Sequence, residues 1–226
     1  MKLSVVMATL NEEEAIKKVI PDIKKNTVGH DLEILVVDSS TDHTAEVATA
    51  LGAKVIKQPK NGHGMALRTA FQAASGDVII TTDCDNTYPM DYIPKMLSLI
   101  NQGFDLVSGN RINSMNRAMP LINRLANFSF ALIVRVLYGI PTNDVTTGMF
   151  ALRRQVARSI PWEANFSFPA EIIIRANLEK FKYKQIDIPY HERIGEVTLN
   201  RWHSGKAYLR CFLKYKFKLN FSADKI

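Results

Sequence analysis

Cysteine is scarce. The 226-residue chain has two, Cys84 and Cys211, far apart and in no zinc-type pattern, so neither a disulfide framework nor cysteine-ligated zinc is expected and a reducing compartment is the default. Long apolar runs are missing as well. The longest, about Phe128 to Ile140, is interrupted by Arg135 and falls short of the roughly 20 residues that cross a bilayer as a helix, so no transmembrane span is predicted. Met1 to Met7 meets Asn11-Glu12-Glu13-Glu14 without a small-residue cleavage site, which reads as a core strand and not a signal. Fixed-period repeats and low-complexity tracts are also absent, which leaves one self-sufficient domain as the expectation.

What is present is an ordinary globular composition, 46% hydrophobic and 23% charged, in a length that suits one substantial core. The formal net charge of +7 invites an anionic partner: nucleic acid, anionic lipid or a phosphorylated substrate. Without a stacking-aromatic module beside it, that charge does not predict nucleic acid.

Strand and helix patterns alternate from the start. Leu3 to Ala8, Leu32 to Val37, Lys54 to Ile56, the run before Asp83, and Asp105 to Ser108 read as strands; helices fall over Glu12 to Lys25, Thr41 to Leu51, Gly64 to Ala74 and Met90 to Asn101. Continuous runs such as Ile34-Leu35-Val36-Val37 suit strands covered on both faces, so the predicted fold class is α/β, a mostly parallel sheet flanked by helices. Further on, Arg117 to Tyr138 reads as a helix or helix pair, either core or interfacial, Phe168 to Lys180 as a helix and Tyr183 to Tyr190 as a strand. From His203 to Lys218 a basic helix carries Lys206, Arg210, Lys214 and Lys218 beside a stripe of Leu209, Leu213 and Phe217; it either packs on the core with a solvated face or rests on anionic lipid. Residues 1–202 form the expected domain and 203–226 the helix packed on or extending it.

Ligands of such sheets bind at the carboxyl ends of the strands, where Asn11, Glu12, Asp38, Asp83 and Asp85 all fall. Asp83 and Asp85 flank one residue at a strand end and so emerge on the same side, a pairing that suits magnesium or a similar hard ion completed by water and phosphates. Asp38, last in its strand, is placed to accept hydrogen bonds from a base or ribose. Ser40 or Thr41 reads as a helix N-cap, with Asp42 in the first turn. Asn61-Gly62-His63-Gly64 could bring backbone N–H groups to a phosphate; an ordinary loop, with His63 a surface histidine, is the expected reading.

Several of these stretches resemble one family. Val5 to Glu12 is similar to the Val-Val-Ile-Pro-Thr-Tyr-Asn-Glu of GT-A glycosyltransferases of family 2, with Ala8 and Leu10 in place of Pro and Tyr. Asp38 to Thr44 resembles that family's second acidic motif and Asp83-Cys84-Asp85 its metal-binding Asp-x-Asp. Ser108-Gly109-Asn110-Arg111 matches Ser-Gly-x-Arg. Arg193-Ile194-Gly195-Glu196-Val197-Thr198-Leu199, followed by Trp202, resembles the Arg-x-Gly-Glu-Ser-Lys-Leu of the dolichyl-phosphate mannose synthase and polyprenyl-phosphate hexosyltransferase branch, with Val197 and Thr198 standing for Ser and Lys and Arg201 or Lys206 as substitutes for that Lys.

The resemblance implies a GT-A, Rossmann-like single domain and an inverting transfer of a hexose from UDP-glucose, GDP-mannose or a similar donor to a polyprenyl (dolichyl) phosphate. It places donor and cofactor against Ala8, Leu10, Glu12, Asp38, Asp83, Cys84, Asp85, Arg111 and Arg193. Mg2+ or Mn2+ would bind Asp83 and Asp85, and Arg111 and Arg193 would neutralise the diphosphate with them. An ionised phosphate acceptor needs no general base; for a hydroxyl acceptor Asp144 and Glu171 are the candidates. The implied location is cytoplasmic, peripheral on the inner face of the membrane, through the two amphipathic segments or a membrane-anchoring partner. The alternatives are a soluble family 2 enzyme with a hydroxyl acceptor and a catalytically silent sugar-nucleotide or lipid-binding subunit.

Overall fold

A computed structural model describes residues 1–113, 119–195 and 201–219, the side chains of Arg201 and Trp202 excepted. Glu196 to Leu199, the end of the last matched motif, lies outside the described residues, as does the start of the predicted helix at Arg117.

Seven strands form one sheet: β1 (Lys2–Thr9), β2 (Asp31–Asp38), β3 (Lys54–Lys57), β4 (Val78–Thr81), β5 (Leu106–Asn110), β6 (Phe150–Arg153) and β7 (Tyr183–Asp187). Their order is β3-β2-β1-β4-β6-β5-β7. All neighbours run parallel except β6, which is antiparallel to both β4 and β5. Helices α1 (Glu13–Asn26), α2 (Thr44–Ala50), α3 (His63–Ala73), α4 (Ile93–Asn101), α5 (Leu121–Tyr138), α6 (Arg154–Ser159), α7 (Phe168–Leu178) and α8 (Arg201–Phe217) cover it.

Alternation along each strand feeds two cores. Val5, Met7, Ile34, Val36, Val78 and Ile80 pack toward α1, α2 and α4. Val6, Leu35, Val37 and Ile79 pack toward α3 and α5 to α8, meeting Phe71, Val134, Phe168 and Phe212. Burial on both faces is why these strands read as unbroken aliphatic runs.

Helix α2 begins later than predicted. His43 is its N-cap residue, and Asp42 Oδ1 accepts the Thr44 N–H at 3.0 Å and its hydroxyl at 2.5 Å. Ser40 and Thr41 do not cap. The Asn11 N–H donates to Ser40 Oγ at 2.8 Å and the Thr41 N–H to Asn11 Oδ1 at 2.9 Å, which ties the loop after β2 to the loop after β1. Asn11 sits at φ 56, a left-handed turn position that asparagine tolerates better than most residues.

Helix α5 lies largely on the surface, with Ala131 and Val134 its only buried residues. By length and composition alone it could cross a membrane, with a mean hydropathy of 1.3 over 18 residues. It packs along α8: the Phe130 and Tyr208 rings stack at 5.4 Å and Tyr138 donates from its hydroxyl to the Phe212 carbonyl at 2.5 Å. Ala207, Tyr208, Cys211 and Phe212 are buried, so α8 is packed on the domain.

Candidate active site

Parallel register brings the strand ends together. Thr9 pairs with Asp38 and Val6 with Thr81, so the acids after β1, β2 and β4 share one rim. Chain direction switches sides about β1 and β4, where crevices open in such sheets. Because β6 is antiparallel, its entry loop, Asp144 to Met149, reaches the same rim. Thr81 Oγ1 donates to the Gly148 carbonyl at 2.6 Å and fastens that loop to β4.

Alternation places Cys84 in the core, 2% exposed, with Asp83 and Asp85 on either side of it at the rim. Burial pushes the Cys84 thiol well up, and Glu12 and the two aspartates add to that, so it is an inert spacer. The two aspartates differ. Asp85 is 4% exposed; its Oδ1 accepts the Thr87 N–H at 3.0 Å and hydroxyl at 2.6 Å, and its Oδ2 accepts Arg193 Nη1 at 2.6 Å. Burial and the neighbouring Asp83 charge hold Asp85 above its usual range. At Asp83, burial also acts upward but is overridden by His63, Arg111 and Arg193, so this carboxyl lies below its usual range.

Arg193 spans the rim, with its Nη2 donating to Glu12 Oε1 at 2.6 Å. Glu12 precedes α1, and its N–H donates to Thr44 Oγ1 at 2.9 Å. Its Oε2 is buried without a hydrogen-bond partner among the described residues, as is Arg193 Nε. Burial raises the Glu12 carboxyl from 4.5 to about 7, against the opposing pull of Arg193. Asp38 is buried, and the hydrogen bonds to its side chain from Thr9 Oγ1 at 2.7 Å and Ser40 Oγ at 2.5 Å both land on Oδ1. Ala8 and Leu10 are partly buried and bring no polar side chain to the rim.

Arg111 departs from the expected phosphate fork. Its Nε and Nη2 donate to Asp144 at 2.8 and 3.1 Å, and Nη2 also reaches Thr146 Oγ1 at 2.8 Å. The guanidinium lies 5.6 Å from the Tyr88 ring centre and 5.3 Å from that of Tyr190. Asp144 is thereby committed as a counterion. Glu171 is committed too, accepting the Glu163 and Ala164 N–H groups and the Tyr215 hydroxyl. Neither is free to act as a general base.

His63 is a surface histidine as expected, its side chain 39% exposed, but its nearness to Asp83 was not legible in the sequence. The loop before α3 is no phosphate cradle, because the Gly64 and Met65 N–H groups donate to Asn165 Oδ1 at 2.9 and 3.3 Å. That clamp sets His63 Nε2 3.6 Å from Asp83 Oδ1. Asn165 lies about a hundred residues further along the chain, and no local pattern announces the contact.

Away from the rim, the packed helices α5 and α8 both expose large apolar side chains. Leu121, Leu125, Leu132 and Val136 on α5, and Leu209, Leu213 and Phe217 on α8, are all exposed. Arg124, Arg135, Lys206 and Lys218 are exposed on the same two helices and their ends.

Residues 4–160 match the model of glycosyl transferase family 2. The dolichyl-phosphate hexose transferase of Haloferax volcanii is 43% identical over 212 residues, 94% of this chain and 92% of its own length. The dolichol-phosphate mannosyltransferase of Pyrococcus furiosus is 30% identical over 203 residues, 84% of this chain and 56% of its own. Among solved structures, glucosyl-3-phosphoglycerate synthase from Mycobacterium tuberculosis in complex with uridine diphosphate superposes with a TM-score of 0.78 at 22% identity, over 98% of this chain and 82% of the other. That likeness speaks for the GT-A fold alone. An alignment that runs nearly end to end at 43% identity speaks for descent as well, and with the family match over residues 4–160 it shows that this chain belongs to glycosyltransferase family 2 and is a glycosyltransferase.

Proposed function

We propose that this enzyme transfers a hexose, with inversion, from a nucleoside-diphosphate sugar to a polyprenyl phosphate while resting on the cytoplasmic face of a membrane. The observation that carries the reading is one molecule with an acidic rim and an exposed apolar surface edged by cations, on α5 and α8. Apolar patches of this kind mark membrane or partner contacts, and a basic fringe favours anionic lipid.

At the rim, Asp38 and Glu12 bind base and ribose: Glu12 Oε2 is buried without a partner among the described residues, and the side-chain hydrogen bonds to Asp38 from Thr9 and Ser40 fall on Oδ1. Asp83 and Asp85 hold the divalent cation, and two carboxylates of this kind suit a hard ion. Magnesium or manganese bound there would neutralise the leaving diphosphate. Arg193 turns from Glu12 and Asp85 to the diphosphate oxygens, and the unpartnered Nε leaves it capacity to do so. Arg111, braced by Asp144, contributes positive potential at Asp83 and keeps the sugar side of the cleft in shape. With Asp144 and Glu171 both committed, an acceptor that arrives ionised fits better than a hydroxyl that must lose a proton.

The test incubates the chain with a divalent cation, radiolabelled UDP- and GDP-sugars and a short polyprenyl phosphate, and counts label in the organic phase. Label from one donor, lost on chelation, is the expected outcome. Label appearing only on a water-soluble acceptor would replace this reading with a hydroxyl-directed enzyme.

A further inference from the structure

His63 and Asp83 face one another across the rim, Nε2 to Oδ1 at 3.6 Å, with side chains 39% and 36% exposed. That distance is beyond a hydrogen bond. It fits another relationship: two ligands about 2.1 Å from one divalent ion, at about 90–120° to each other, stand about 3.0–3.6 Å apart.

Both groups are held from behind. Gly62, at φ 93, and Gly64 lie so close to Asn165 that neither has room for a Cβ, and Asn165 binds the N–H groups on the far side of His63. Gly148 packs closely on Asp83, where a Cβ would stand 2.7 Å from Oδ1. The Gly148 N–H is in turn held by the Tyr88 hydroxyl at 2.5 Å. Asp85, by contrast, has both oxygens engaged, by Thr87 and Arg193. While Arg193 stays on Asp85, the open carboxylate of the pair is Asp83 and its open neighbour is an imidazole; Asp85 Oδ2 is freed for the cation when Arg193 turns to the diphosphate.

Building on the cation-dependent transfer proposed above, we infer that His63 is itself a cation ligand, through Nε2 beside Asp83, and that it biases the site toward manganese over magnesium. Imidazole suits first-row transition ions, whereas magnesium prefers an all-oxygen shell. With Arg193 on Asp85, no three His, Cys, Asp or Glu side chains among the described residues form a ready metal cluster, so the nucleotide diphosphate, which draws Arg193 away, and water complete the shell and binding depends on nucleotide.

The experiment uses the whole chain with Mn2+ and UDP, and a second sample with GDP, read by electron spin echo envelope modulation and by calorimetry. The native protein should show the nitrogen modulation of a coordinated imidazole. In His63→Gln the modulation should vanish while Mn2+ still binds, about tenfold more weakly, the equivalent of about 1.4 kcal/mol, with a smaller change for Mg2+. The native spectrum decides by itself should the variant prove unstable. Mn2+ bound without nitrogen modulation in the native protein, or modulation that survives in His63→Gln, overturns the ligation and leaves cation-dependent transfer standing. No Mn2+ binding with either nucleotide overturns both.

Discussion

Replacing Asp144 with asparagine isolates the Arg111 guanidinium without changing the shape of its surroundings. The pair is almost fully enclosed, with side chains 8% and 0% exposed. Asp144 receives Arg111 through its N–H, Nε and Nη2, and Thr146 through its N–H and hydroxyl. Removing one partner of such a pair strands a buried charge, at about 3–5 kcal/mol. For a chain of this size each kcal/mol moves the melting point by about 2–4 °C, so a loss of about 6–20 °C is expected. The matched control is Asp77→Asn, which breaks the Arg154 pair whose side chains are 46% and 55% exposed and should cost below about 1 kcal/mol. Urea unfolding followed by circular dichroism measures both. Replacing the pair together, as Arg111→Met with Asp144→Asn, should recover part of the loss, because no charge is then stranded. A single variant within 1 kcal/mol of the native protein would refute the reasoning and return Arg111 to the list of mobile phosphate ligands. The pair also sets an acid limit. Burial pushes the Asp144 carboxyl up, but Arg111 overrides it and holds it below its usual range. Its contribution is therefore complete above about pH 4 and is lost as pH falls through the lower folded value.

Glu12, raised from 4.5 to about 7, works in the opposite sense: the folded chain holds a proton that the unfolded chain releases, so stability should fall as pH rises across that interval. Glu12→Gln should flatten that slope in urea midpoints taken between pH 4.5 and 7.5. Asp85→Ala should lower lipid-linked label by about 100-fold or more while the chain stays folded; full transfer would sink the cation assignment. Charging the α5 surface with Leu132→Glu and Val136→Glu, at positions 49% and 76% exposed, should weaken co-sedimentation with anionic vesicles by about 30-fold or more, the equivalent of about 2 kcal/mol of lost apolar burial. Unfolding in urea should change by no more than about 0.5 kcal/mol, and unchanged vesicle binding would move the membrane contact elsewhere.

Aliphatic runs such as Val78-Ile79-Ile80 announced buried parallel strands because both faces of each are covered, and the acids that end those strands announced the rim. Those are local signals with a fixed period. The contacts that tune the rim are not local: Glu12 meets Arg193 181 residues away, and His63 depends on Asn165. The start of α2 was misread for a related reason, since Ser40 and Thr41 are good capping residues already engaged by Asn11. Arg111 lies at the rim, and its partner there, Asp144, was not legible either. Only the reversed direction of β6 brings Asp144 to the rim, and nothing in the alternation of a short strand reveals its direction.

Arg193 has one more consequence. Glu12, Asp83 and Asp85 repel one another at the rim, and an empty site would ordinarily leave that repulsion unrelieved. The guanidinium lying between Glu12 and Asp85 is a tethered counterion that the chain brings with it. If the proposed cation binds there, filling the site exchanges one positive charge for another, and emptying it restores the first. Folding need not wait for a metal, in contrast to small zinc domains that unfold without theirs. On the proposed reading, the enzyme would shed its products and the cation together and close the electrostatic gap with a side chain that never diffuses away.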